Sequence, residues 1–267
     1  ERDWVGQETT LQMSAYFSSR RSAEIALQWL KEQLKEQLKE QLKEQPKNQA
    51  AGFTARIEFQ EDQDWNAQWK ASFTGIDVSP DFRVLPPWHD DWLAGNRTGI
   101  LAINPGAGFG TGTHETTQLC LQTLRSLGDL TGKIVLDFGS GSGILGIAAA
   151  QLGAQVYCVE VDPLANENAR ANCLLNQVDA SVSISQTIPE HLKSGKVDVL
   201  VANILRPILL QFAPVLISCL RSESELVLSG LIESDLDPVI QAYKGSFHSY
   251  QSFKKGDWRA IHLRRKK

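Results

Sequence analysis

The chain has 267 residues, of which 42% are apolar and 22% charged, enough to bury the core of one α/β domain and a smaller module. No stretch offers 18 consecutive apolar residues, which argues against a helical membrane span. The net charge of −4 gives no general attraction to nucleic acid.

Taken in chain order, residues 10–17 (TLQMSAYF) alternate loosely and read as a strand. Ser22 to Gln45 then predicts a long helix built on the repeat LKEQ. Leu30, Leu34, Leu38 and Leu42 recur every four residues, so the stripe drifts by about 40° per step and slides off any single packing face. The distal end of that helix is therefore expected to be exposed, tied by Glu-Lys pairs of about 0.2–0.5 kcal/mol each. Pro46 stops it, and Phe53 to Phe59 (FTARIEF) returns as a strand, making the front of the chain β-α-β. Residues 62–95 read as a connector rich in Trp, with Trp65/Trp69 and Trp88/Trp92 each four apart, as expected of interdomain packing on short helices. From Gly99 onward strands and helices alternate, the pattern of a doubly wound parallel sheet.

Two glycine-rich loops dominate this second half. The first, Asn104 to Thr117, reads NPGAGFGTGTHETT; the second follows a short apolar strand in IVLDFGSGSGILGIAA. A strand, a glycine loop and a helix N-terminus bring bare backbone N–H groups to the carboxyl edge of a sheet, where open α/β folds bind ligands. Glu160 ends the next strand, 21 residues beyond Gly139, placed to accept hydrogen bonds from both hydroxyls of a ribose. Two cofactor classes fit. Gly141, Gly143 and Gly146 spell GxGxxG, a dinucleotide pattern that is weak alone. Asp137 extends the loop to DxGxGxG, the form typical of S-adenosylmethionine binding, and a carboxylate there is expected to reach the donor's amino group, directly or through water, rather than an anionic pyrophosphate.

Asn203 follows the strand VDVLVA in NILRP. Enzymes that methylate amines commonly carry Asn or Asp at this strand tip, because displacement at a sulfonium methyl needs a neutral nitrogen held in line. A Lys ε-amine with reference pKa near 10.4 costs about 4–5 kcal/mol to deprotonate at neutral pH, an α-amine only about 1. Desolvation and amide acceptors lower that cost, so no strong general base is required. His114, among Thr and Gly residues without a carboxylate beside it, is expected to hold loop backbone rather than to act as base. Cys120, Cys158, Cys173 and Cys219 form no CxxC pair and read as small buried hydrophobes in a reducing cytosol, with no metal site.

With these motifs in hand, the chain resembles the ribosomal protein L11 methyltransferase family (PrmA type). The likeness runs from about Asp64 to the C-terminus, through the first loop, VLDFGSGSGILGIAA, VDPLANENARANCLLN, VDVLVANILRPIL and the closing GDWRAIHLRRK. It implies a class I methyltransferase sheet, Rossmann-like and doubly wound, with an antiparallel C-terminal hairpin, in residues 96–267. Residues 1–61 would be part of a ferredoxin-like substrate-recognition module and 62–95 the connector. It further implies S-adenosylmethionine as cofactor, bound at Thr117, Gly139, Gly141, Glu160 and Asn203, with Asn203 also catalytic. The implied reaction is methylation of lysine ε-amines and the α-amine of ribosomal protein L11, by a cytoplasmic monomer that requires neither nucleic acid nor membrane. Three positions depart from the family pattern: Asn104 for Asp, Ser140 for a common Cys, and Glu160 for Asp. At the front only one β-α-β half can be traced, and the chain opens Glu1-Arg2-Asp3 without an initiator Met, as expected of a truncated sequence. Another protein lysine, a small amine, or a cofactor-binding module without activity are the competing expectations.

Overall fold

The structure, a computed structural model, describes Arg21 and residues 24–33, 73–106 and 108–267. The strands expected at 10–17 and 53–59, the distal LKEQ repeat, Trp65 and Trp69 lie outside the described residues. Contacts divide the chain into two compact units, Glu1–Trp69 and Lys70–Lys267. In the first, residues 24–33 are helical, with Ile25 and Trp29 exposed one turn apart.

The described residues of the second unit form ten strands. Ile76–Ser79 (β1), Phe82–Leu85 (β2) and Ile100–Ala102 (β3) form a small sheet, β1 antiparallel and β3 parallel to β2. Asp90–Leu93 (α1) is a single turn, so the pair Trp88/Trp92 does not share one helix; Trp92 is buried, with the Arg97 guanidinium 3.6 Å above its ring. β1 and β2 thus fall within the segment expected as a connector.

The large sheet comprises Ile134–Phe138 (β4), Gln155–Val159 (β5), Val182–Ser185 (β6), Val197–Asn203 (β7), Leu220–Ile232 (β8), Phe247–Lys255 (β9) and Trp258–Arg265 (β10), in the order β6-β5-β4-β7-β8-β10-β9. β4 to β8 pair in parallel, and β10 pairs antiparallel with both β8 and β9, giving the expected C-terminal hairpin. The near-continuous apolar runs of β4 and β7 follow from burial on both faces. On one face Glu115–Ser126 (α2), Ile144–Gln151 (α3) and Pro163–Leu175 (α4) pack through Leu121, Leu124, Ile147 and Cys173 onto Val135, Val156 and Val201. On the other, Arg206–Cys219 (α5) and Leu236–Tyr243 (α6) pack through Leu209, Leu216 and Val239 onto Leu136, Leu200 and Leu228.

Strand order reverses at β4, whose neighbours are β5 and β7, and a crevice opens at the carboxyl ends there. β8 carries a bulge at Gly230, where the pairing to β10 skips one residue. Gly230 has φ +84, and a Cβ on it would stand 2.5 Å from the Ile204 carbonyl oxygen. Only glycine lets the chain just after β7 lie this close to β8.

Candidate active site

Register alone assembles the centre of the crevice. Phe138 pairs with Val159, which sets Gly139 beside Glu160. Asp137 pairs with Val201, which two residues on sets Gly139 beside Asn203. Glu160, Gly139 and Asn203 therefore stand in one row across the tips of three adjacent strands. With strands about 4.8 Å apart, the row is roughly 10 Å wide.

At one end, the Glu160 carboxylate accepts backbone N–H groups from Gly141 and Asp162, each at 3.0 Å and each on a different oxygen. Every carboxylate oxygen keeps a further lone pair, which suits two ribose hydroxyls. Gly141 thus serves the site by orienting the acid. The Asn166 side chain fixes the same residue from behind, donating to the Glu160 carbonyl at 2.8 Å. At the other end, Asn203 Nδ2 donates to Thr117 Oγ1 at 3.3 Å, from a half-buried side chain to a buried one. With the amide nitrogen so engaged, Oδ1 of Asn203 is the atom left to accept a hydrogen bond from an incoming group.

Asp137 lies in β4. It is fully buried, and Oδ2 accepts the Gly146 N–H at 2.9 Å, so it fastens the first turn of α3 to β4. Its Oδ1 has no hydrogen-bond partner in the structure. Burial, with a smaller contribution from Glu160, pushes its carboxyl up to about 7.

The first loop lies directly on the second. Ser142 N–H donates to Phe109 O at 2.9 Å and Ser142 Oγ to Gly110 O at 2.5 Å. A Cβ on Gly108 would stand 2.6 Å from Ser142 N, so glycine is needed for this contact. His114 is the N-cap of α2: its Nδ1 accepts the Thr116 N–H at 3.3 Å and lies 2.7 Å from Thr116 Oγ1. Its ring meets Phe109 edge-on at 5.6 Å and Trp258 at 4.8 Å, while Phe109 itself is 62% exposed. The imidazole is scaffold, as its sequence context predicts. Trp258 and Ser142 escaped sequence reasoning, although Ser142 fills a variable position of GSGSG and Trp258 lies in GDWRAIHLRRK, because a motif does not say what its variable positions touch. All four cysteines are buried and free, and burial pushes the thiols up, Cys120 and Cys173 to about 12. A separate recess of about 320 Å³ lies over the small sheet, lined by Asp81, Arg83, Asp91 and Arg97; it shares no residue with the crevice.

A doubly wound sheet with an acid, a glycine loop and an amide in one row defines the chain as a class I, S-adenosylmethionine-dependent methyltransferase. The described residues fit that donor through the free lone pairs of Glu160. The chain belongs to the ribosomal protein L11 methyltransferase (PrmA) family, whose profile matches residues 3–266. It is 40% identical over 211 residues to the ribosomal protein L11 methyltransferase of Shigella sonnei, covering 78% of this chain and 70% of that protein. The enzyme of the same name from Actinobacillus pleuropneumoniae is 38% identical over 213 residues, with the same coverage. Among solved structures, a ribosomal protein L11 methylase from Lactobacillus delbrueckii subsp. bulgaricus superposes with a TM-score of 0.65 at 31% identity, covering 73% of this chain and all of that one. Among the described residues, no helix is long and apolar enough to cross a membrane.

Proposed function

We propose that the chain methylates lysine ε-amines and the α-amine of ribosomal protein L11, with Asn203 as the residue that holds the acceptor nitrogen. The row Glu160–Gly139–Asn203 carries this reading, because it puts a ribose acceptor and an amine acceptor on opposite sides of one glycine. Bound S-adenosylmethionine supplies the electrophilic sulfonium methyl. Glu160 takes the ribose hydroxyls, the backbone around Gly139 and Gly141 flanks the methionine portion, and the Thr117 hydroxyl fixes the Asn203 amide. Asn203 Oδ1 accepts one N–H of the neutral target amine and aims its lone pair along the transfer axis. The amine reaches the crevice after losing its proton to water, at a cost of about 4–5 kcal/mol for lysine and about 1 for an α-amine. Alignment by the amide accounts for much of the rate.

Target recognition is assigned to residues 1–61, joined through 62–95 to a catalytic domain at 96–267, in a cytoplasmic monomer that needs neither nucleic acid nor membrane. The test incubates the chain with radiolabelled S-adenosylmethionine and purified L11. Label on L11 that is lost in Asn203→Ala, while S-adenosylhomocysteine still binds, supports the assignment. Label on other proteins but not on L11 would overturn the substrate, and undiminished transfer by the variant would overturn the role of Asn203.

A further inference from the structure

Asn168 and Asn172 on α4, and Asn176 at its C-cap, stand four residues apart along one side of the helix. Together they form a ladder of side-chain amides along the backbone entering the first loop. Asn176 Oδ1 accepts the Ala102 N–H at 2.9 Å, and its Nδ2 donates to the Ala102 carbonyl at 2.6 Å. Asn168 Nδ2 donates to the Asn104 carbonyl at 3.0 Å.

The middle rung differs from its neighbours because it serves both loops. Asn172 is fully buried; its Oδ1 accepts the Asn104 N–H at 2.9 Å and its Nδ2 donates to the Ser142 carbonyl at 3.0 Å. Ser142 is also fully buried, and its N–H and hydroxyl already bind Phe109 and Gly110. One carboxamide therefore spans the entry of the first loop and the heart of the second, and only a group with an acceptor at one end and a donor at the other can do so.

We propose that Asn172 is a positioning residue that makes the two loops order as a single unit, coupling the donor pocket to the acceptor side of the crevice. The inference rests on the donor-site reading above. Asn172→Asp isolates the link: it keeps the shape and the acceptor for Asn104 but has no proton for Ser142. Asn176→Asp is the control, an equally small change on the same ladder that leaves the Ser142 link intact.

The readouts are calorimetric affinity for S-adenosylhomocysteine and amide hydrogen exchange with and without it. In the wild type, S-adenosylhomocysteine slows exchange in peptides covering both 104–117 and 139–146. In Asn172→Asp it slows only the second peptide, and affinity falls tenfold or more. Asn176→Asp keeps affinity within threefold and protection in both loops, even where its melting temperature drops. Concerted protection with affinity within threefold in Asn172→Asp overturns the proposal. Native-state exchange of the unmodified protein provides a check that needs no variant: across a denaturant series both loops open with the same free energy if coupled, and separate openings overturn the coupling. A wild type that fails to bind S-adenosylhomocysteine, yet opens both loops together, would count against the donor site and leave the coupling standing.

Discussion

Glu160 shows how one side chain is shared between fold and ligand, since both oxygens already hold backbone N–H groups before any ribose arrives. Hydrogen bonds to a charged acceptor contribute about 1.5–3 kcal/mol, so Glu160→Gln is expected to raise KM for S-adenosylmethionine about 10- to 100-fold in steady-state assays. His114→Ala removes a helix cap of about 1 kcal/mol. It should lower the melting temperature and cost kcat less than tenfold, with the pH profile of kcat unchanged; loss of a limb of that profile would make His114 a base after all. Asp137 offers a pH test. Its carboxyl stands at about 7 in the fold against 3.8 as the ordinary value. Between those values the folded state holds the extra proton, so this group's contribution to stability falls as pH rises from about 4 to about 7 and is flat above. The melting temperature of Asp137→Asn relative to wild type should therefore be higher at pH 8 than at pH 5. Glu160 and Asn203 were legible because each ends an apolar run that can only be a strand. The bond from Gly146 to Asp137 was not, because a motif gives spacing while the packing of α3 decides which N–H a carboxylate meets.

Elements were readable in proportion to their length. β4, β5 and β7 announce themselves as apolar runs, and α4 begins at the N-cap Asp162 followed by Pro163, a start signal visible in the sequence. β1 and β2 have four residues each, too few for a period to show, and they fall within the segment read as a connector. The amide ladder left a trace that was available, three Asn four apart, two of them inside α4 although Asn favours caps over helix interiors. The bulge in β8 left less, since a single Gly in a strand does not say what approaches it. Gly230→Ala should cost about 1–3 kcal/mol by chemical denaturation from the strained backbone alone. It should also depress kcat more than the binding of S-adenosylhomocysteine, because the residue it pushes is Ile204, next to Asn203.

On the scale of the whole molecule, every residue of the crevice and both faces of the core fall within Lys70–Lys267. A fragment of residues 70–267 is therefore expected to fold cooperatively and to bind S-adenosylhomocysteine within a few-fold of the full chain, while labelling L11 poorly; wild-type labelling by the fragment would move recognition out of residues 1–61. The front of the chain was the least legible region, because a repeat of four residues describes a helix surface without saying what covers it. The row across the strand tips has a further consequence. Its width belongs to the sheet, fixed by backbone hydrogen bonding that no side-chain exchange alters. Donor and acceptor ends are thus separate sockets on a rigid ruler, and the segment 203–207 can be rewritten to accept a different nucleophile while the distance to the ribose end stays the same.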